Sequence, residues 1–379
     1  MRYYIIAGEA SGDLHGGNLI KEIHRQDPGA DIRCWGGDRM EAAGATLVKH
    51  YRSLAFMGFV EVITHLRTIF RNIDFCKKDI LAYKPGVLVL IDYPGFNMRI
   101  AEWAKKQGIR IVYYISPQVW AWKEKRVEKI KRDVDKMLVI LPFEVDFYKK
   151  WDYKVTYVGH PLVEVVKHEK EEIPVQKISG RPVIALLPGS RAQEIRVKLP
   201  IMLRMVKHFP QYQFVIAQAS AQPDSLYKEI ITSHLPSLGG AGGRPALLVK
   251  DQTYNLLKQA EAGLVTSGTA TLETALFGLP QVVCYKGNAV SFWLAKKLVK
   301  VKYISLVNLI MDKPVVTELI QDELNEANLK TALNRLLYDE QYKKELRQDY
   351  ETLWHKLGDK QASALAAKEI IAIATVAIA

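Results

Sequence analysis

The sequence predicts an α/β protein built from two doubly wound parallel-sheet domains facing a cleft, with C-terminal helices packing back across them. Three observations predict it. Short apolar runs alternate with longer segments of helical periodicity almost throughout the 379 residues, the pattern of strand–helix–strand units. The runs are unbroken Val/Ile/Leu stretches, as strands covered on both faces require. They fall into two series, separated by a charged stretch punctuated by Pro and Gly.

The first series comprises Tyr3–Ala7, Ile32–Trp35, Val87–Ile91, Ile109–Ile115, Met137–Leu141 and Val155–Val158. The second comprises Val183–Leu187, Gln213–Ala217, Ala246–Val249, Ala262–Val265 and Gln281–Tyr285. Helical periodicity marks Leu14–Arg25, Ile100–Gln107, Val197–His208 and Thr269–Phe277, and is continuous from Glu326 to the end. Between the series, Val166–Pro174, continuing to Gly180-Arg181-Pro182, reads as an interdomain connection.

A hydrophobic content of 49% with 25% charged residues excludes a disordered or collagen-like chain. Cys34, Cys76 and Cys284 stand far apart, which argues against a disulfide framework or zinc site and for a reducing compartment. No apolar run is long enough to span a bilayer, and the N-terminus turns into Gly8-Glu9 too early for a signal peptide. The expected location is cytoplasmic. Lys and Arg exceed Asp and Glu by 53 − 41 = 12, spread over both halves with no basic tail. That spread argues against nucleic acid and leaves phosphorylated small molecules and anionic lipid as partners.

Two loops concentrate carboxylates. The first strand runs into Gly8-Glu9-Ala10-Ser11-Gly12-Asp13, where glycines permit close approach of a ligand but Glu9 and Asp13 would repel a pyrophosphate. The loop therefore suits sugar hydroxyls, with helix capping as the plainer role for Asp13. Asp92 ends another strand, before Tyr93-Pro94-Gly95-Phe96-Asn97, at the edge where open α/β sheets bind ligands, and is placed to act as a general base, with an Asx turn before Pro94 as the plainer role.

Two later loops suit phosphate. Pro188-Gly189-Ser190-Arg191 opens a helix with backbone N–H groups, a hydroxyl and a guanidinium. Thr266-Ser267-Gly268-Thr269 does the same, with Glu273 one turn on to accept from a ribose diol. Together they describe transfer from a nucleotide-activated donor to a hydroxyl. The sole Asp-x-Asp, Asp133-Val134-Asp135, precedes a strand and reads as structural; no histidine cluster offers a metal site. His160, before Pro161, reads either as a cleft residue or as a satisfied structural histidine. Phe56–Arg71 carries an apolar stripe at helical spacing beside Arg67 and Arg71 and reads either as a core face or as a lipid-facing patch. Ser291–Lys302 mixes aromatic residues with four lysines and suits either anionic lipid or the substrate's phosphate.

These loops, with Ser116–Trp122, Leu141–Glu144, Val158–Pro161 and Ser305–Asn308, resemble those of the lipid-A-disaccharide synthase family, in order along almost the whole chain. The resemblance implies a B-type (GT-B) glycosyltransferase of two Rossmann-like domains. Residues 1–165, joined by a helix over 355–379, would form the acceptor and catalytic domain, and 166–354 the nucleotide-sugar domain. It further implies an inverting, metal-free hexosyltransferase of lipid A biosynthesis, needing no cofactor and attached peripherally to the inner membrane. The transfer would be of 2,3-diacylglucosamine from its UDP derivative to the 6-hydroxyl of 2,3-diacylglucosamine 1-phosphate, releasing UDP. Carried over by position, Asp92 and Glu9 are catalytic. Ser190, Arg191, Ser267, Gly268, Thr269, Glu273 and Asn308 handle the donor, and backbone near Val249–Tyr254 would meet uracil. Many members carry an acidic residue where this chain has Gly95, which leaves Asp92 as the base. Two rivals are the N-acetylglucosaminyltransferase of the peptidoglycan precursor and a two-lobed binding protein. A homodimer is left open.

Overall fold

The computed structural model describes residues 1–53, 66–235, 246–288, 292 and 301–375. The chain divides into two compact units, Met1–Pro161 with Leu357–Ala379, and Leu162–Lys356.

The first unit carries seven parallel strands: β1 (Arg2–Ala7), β2 (Asp31–Gly36), β3 (Thr46–His50), β4 (Val87–Ile91), β5 (Ile111–Tyr114), β6 (Lys136–Val139) and β7 (Thr156–Tyr157). Their order is β3-β2-β1-β4-β5-β6-β7. Helices cover both faces, so every residue of β4 and β5 is buried and the strands read as unbroken apolar runs. The order reverses between β1 and β4, which pair in parallel with Ala7 opposite Ile91. That switch point splays apart the loops that follow the two strands and opens a crevice at the carboxyl edge.

The second unit repeats the plan with β8 (Val183–Leu187), β9 (Gln213–Gln218), β10 (Ala246–Lys250), β11 (Ala260–Thr266), β12 (Gln281–Tyr285) and β13 (Thr317–Ile320). The order β10-β9-β8-β11-β12-β13 puts its switch point between β8 and β11. The two-domain α/β expectation therefore holds.

The C-terminal helix Ala362–Thr375 belongs to the first unit and packs on Ala10–Gln26. Gln26 Nε2 donates to Ala364 O at 3.0 Å, Lys136 pairs with Glu369 at 2.7 Å, and the Tyr157 hydroxyl donates to Leu357 O at 2.7 Å. Gly159, at φ +95°, lies where a Cβ would come within 2.9 Å of Lys360 Cβ, so the two segments meet only because that side chain is absent.

Three elements differ from the sequence reading. β3 and β13 were not expected. Both are sheet edges whose residues are mostly half-buried, and Thr-Leu-Val-Lys-His and Thr-Glu-Leu-Ile lack the apolar run of a central strand. The expected connection over Val166–Pro174 is helical as far as Glu172, in a helix beginning at Pro161. Leu162, Val163 and Val166 bury one face of it, and the charged residues that suggested a linker are its solvent face.

Asp13 is a cap, and the helix it caps is a neighbouring one. Its carboxylate accepts the N–H groups of Gly37, Arg39 and Met40 at 2.7, 3.1 and 3.1 Å, at the start of Asp38–Ala42. It is buried, so the three donors depend on it. Asp13→Ala is expected to cost about 2 kcal/mol and to accelerate amide hydrogen exchange at Gly37 and Met40 selectively. Unchanged protection there would contradict the capping role.

Candidate active site

In the first unit, β1 and β4 deliver Glu9 and Asp92 to neighbouring loops at the switch point. Asp92 and Tyr93 both lie in the left-handed region, at φ +44° and +49°, a strained pair for residues other than glycine. The surroundings over-determine it. The Asp92 N–H donates to Tyr114 O at 3.3 Å. The Asp92 carbonyl accepts from the Tyr113 hydroxyl at 2.6 Å and from Asn97 Nδ2 at 2.8 Å. Asn97, wholly buried, also donates to Ile91 O at 3.2 Å. The Tyr93 ring lies flat on Gly8, where a Cβ would come within 2.2 Å of the ring. Glycine at position 8 is thus required by a side chain of the neighbouring loop.

This turn holds the Asp92 carboxyl in a poorly solvated position. Burial, and then the nearby negative charge of Glu9, push its pKa up to about 6. A carboxylate so placed is still ionised at neutral pH, yet basic enough to accept a proton. The phenol of Tyr93 is raised by the same two causes.

His160 is buried, and its pKa is pushed down to about 3, first by burial and then by His15. His15, also buried, is pushed down to about 4. Both are neutral imidazoles at physiological pH, so neither supplies a positive charge to the loops.

In the second unit, the two expected phosphate loops leave adjacent strands at the second switch point, β8 and β11, which pair with Val265 opposite Leu187. Gly189 and Gly268 have φ of +118° and +142°, so both turns need glycine. Arg191 and Gly268 are the N-cap residues of Ala192–Leu203 and Thr269–Leu276. A Cβ on Gly268 would meet nothing within 4 Å, so the loop is open on that side. Arg191 is exposed and touches Glu194 at 3.4 Å. The Ser190 carbonyl accepts from Gln222 Nε2 at 2.9 Å, and the Ser267 hydroxyl donates to Ile304 O at 3.0 Å. Two helix N-termini and a guanidinium converge on one sheet edge, an arrangement suited to a diphosphate.

Lys198 escaped the sequence reading. It is buried, bonds to Thr266 Oγ1 and lies 3.5 Å from Glu194. It ties the end of β11 to the helix that follows β8 and adds a positive charge beneath both loops. Burial lowers its pKa. The Glu194–Lys198 spacing of four residues was the available signal.

Glu273 accepts from the Tyr254 hydroxyl at 2.8 Å, and burial raises its pKa. Asn308 is committed to the fold: its amide donates to Val316 O and Glu318 at 2.9 Å each and accepts from Val316 N at 2.9 Å. Its geometry gives it a positioning role, tying the helix Leu306–Met311 to the start of β13, just after Ile304, whose carbonyl accepts from Ser267.

The Asp-x-Asp pair is structural. Asp133 is gripped by the Arg132 fork at 2.6 and 2.7 Å, while Asp135 binds Lys105 and the Ile111 N–H. No three His, Cys, Asp or Glu side chains group to hold a metal among the described residues. None of their helices is long and apolar enough to cross a membrane. Phe56–His65, most of Ser291–Lys300 and the last four residues lie outside the described residues. Of the surfaces expected to meet lipid, Arg67, Phe70 and Arg71 are described and exposed, and Lys302 pairs with Asp312.

A family model described as lipid-A-disaccharide synthetase matches residues 3–371. A lipid-A-disaccharide synthase of Geobacter metallireducens is 39% identical over 365 residues, covering 94% of this chain and 93% of its own. One from Nitrosococcus oceani is 38% identical, covering 93% and 92%. Among solved structures, the UDP-GlcNAc 2-epimerase of Neisseria meningitidis bound to UDP-GlcNAc aligns with a TM-score of 0.67 at 12% identity, covering 98% of this chain and 100% of that one. CalG4, the calicheamicin glycosyltransferase, aligns with a TM-score of 0.62 at 16% identity, covering 98% of both. At these identities the structures show a shared fold.

The raised pKa of Asp92 carries a stability cost with a definite sign. The folded state resists ionisation, so the penalty is absent below the unfolded value of about 4 and complete above about 6. For a partly exposed side chain it is on the order of 2 kcal/mol. Asp92→Asn is therefore expected to raise the melting temperature at pH 7 and to leave it unchanged near pH 4. A loss of stability at pH 7 would contradict the burial and charge account.

Proposed function

The chain belongs to the lipid-A-disaccharide synthetase family and is a glycosyltransferase of lipid A biosynthesis, and on that premise we propose the reaction its residues perform. The donor is UDP-2,3-diacylglucosamine and the acceptor 2,3-diacylglucosamine 1-phosphate. Asp92 takes the proton from the acceptor 6-hydroxyl as its oxygen attacks the anomeric carbon. The bond from that carbon to the diphosphate oxygen breaks, and the electron pair leaves with UDP. One direct displacement inverts the anomeric centre.

The observation that carries this reading is Asp92 on its strained turn beside Glu9. Burial, and then the charge of Glu9, keep the Asp92 pKa high, so the base is matched to neutral pH. The departing diphosphate is met by backbone N–H groups after Gly189 and Gly268 and by the Arg191 guanidinium, with Lys198 below. Those fixed charges make a metal unnecessary. Glu273 would accept from the ribose. The chain would work at the inner-membrane surface, with Arg67, Phe70 and Arg71 meeting anionic lipid.

The test is UDP release from the two acylated substrates, with and without chelator. Equal rates in both are expected; no release in either would refute the reaction. Asp92→Asn should lower kcat about 10²- to 10⁴-fold with donor KM little changed. The wild-type rate should fall on the acid side with an apparent pKa near 6, because protonated Asp92 cannot act as base. Near-normal turnover in the variant would remove Asp92 from that role.

A further inference from the structure

A second cationic surface lies one strand away from Asp92, and the reaction above does not use it. β5 runs into Ser116–Trp122, a turn seated on buried polar contacts. The Ser116 hydroxyl meets the Tyr148 hydroxyl at 2.7 Å, and Trp120 Nε1 donates to Glu144 at 3.3 Å. The other carboxylate oxygen of Glu144 accepts the Leu141 N–H at 3.0 Å. In contrast to this anchored base, Trp122 is 47% exposed. Lys123 Nζ lies 3.9 Å from its ring centroid, and Arg126 Cζ lies 5.7 Å from it. Neither cation forms an ion pair among the described residues, and burial together with Arg126 lowers the Lys123 pKa.

Geometry connects this surface to the base. β5 pairs with β4, placing Tyr114 opposite Ile91. Tyr113 hydrogen-bonds the Asp92 carbonyl at 2.6 Å, and the charge of Arg126 acts on that same hydroxyl. Two cations with no carboxylate partner among the described residues, held by an exposed indole, form a site for an anion of charge near −2. A guanidinium fork with an ammonium beside it matches a phosphate monoester. The exposed indole offers an apolar shelf beside it.

Resting on the proposed reaction, we infer that Lys123 and Arg126, with Trp122 between them, bind the phosphate monoester of the acceptor sugar and so select a phosphorylated acceptor. The site stands on the loop edge that carries Asp92. The arginines and the exposed Phe70 assigned to lipid belong to a different helix, Leu66–Tyr83.

The experiment measures UDP release in neutral detergent micelles for wild type, Lys123→Gln, Arg126→Gln and Arg126→Lys, using the acceptor with and without its phosphate. For the phosphorylated acceptor, each Gln variant should raise acceptor KM about 10- to 100-fold with kcat and donor KM nearly unchanged. Arg126→Lys should recover part of the loss. For the unphosphorylated acceptor, wild type and variants should be equally poor. Equal losses with both acceptors, or none with either, would overturn the assignment while leaving the reaction intact. Unchanged micellar KM with lost binding to phosphatidylglycerol vesicles would overturn it in favour of a lipid-surface role. No UDP release by the wild type from either acceptor would overturn the reaction itself.

Discussion

The burial of a carboxyl at the end of a central strand, reinforced by the negative charge of a second one on the neighbouring strand, is the constraint on which the first unit's site depends. Glu9 and Asp92 lie at a switch point because the sheet order reverses between β1 and β4. Asp92 is held there on two consecutive left-handed residues, Asp92 and Tyr93, a conformation that isolated chains avoid. Tyr113, Asn97 and the Tyr93 ring against Gly8 supply the compensation. The result is a carboxyl with a pKa raised to about 6, maintained at a cost in stability by a well-packed sheet.

The second unit shows the opposite electrostatics on the same topology. Its switch point carries two glycine turns, two helix N-termini, Arg191 and the buried Lys198. Burying an ammonium is costly unless it is paired, and Thr266 and Glu194 provide that pairing. A donor diphosphate would complete the neutralisation. On the proposed reaction, negative charge is concentrated where the acceptor hydroxyl loses its proton, and positive charge where the diphosphate departs. On the same proposal, part of the chain's net +12 serves locally, at Arg191, Lys198, Lys123 and Arg126.

Much of this was legible in the residues. Central strands such as Val87–Ile91 and Val183–Leu187 are buried on both faces, so their apolar runs announce them. The loops at Gly8, Asp92, Gly189 and Gly268 were visible because strand, glycine and helix onset coincide in sequence. The edge strands β3 and β13 were not, because half-exposed strands need no continuous apolar run. The helix through Glu172 was concealed by its charged face, which looks like a linker when its three buried aliphatics are overlooked. Long-range contacts were beyond reach as well. Nothing local shows that Asp13 caps a helix beginning 25 residues later, that Asn308 spends its amide on Val316 and Glu318, or that Lys198 reaches Thr266.

The central claim is that burial and Glu9 together tune Asp92 as the base. The most direct measurement is the titration of the Asp92 side-chain carboxyl by ¹³C NMR in the wild type and in Glu9→Gln. The account gives a midpoint near 6 in the wild type and a lower one once the neighbouring charge is removed. A wild-type midpoint near the ordinary carboxylate value, or one that Glu9→Gln leaves in place, would contradict it.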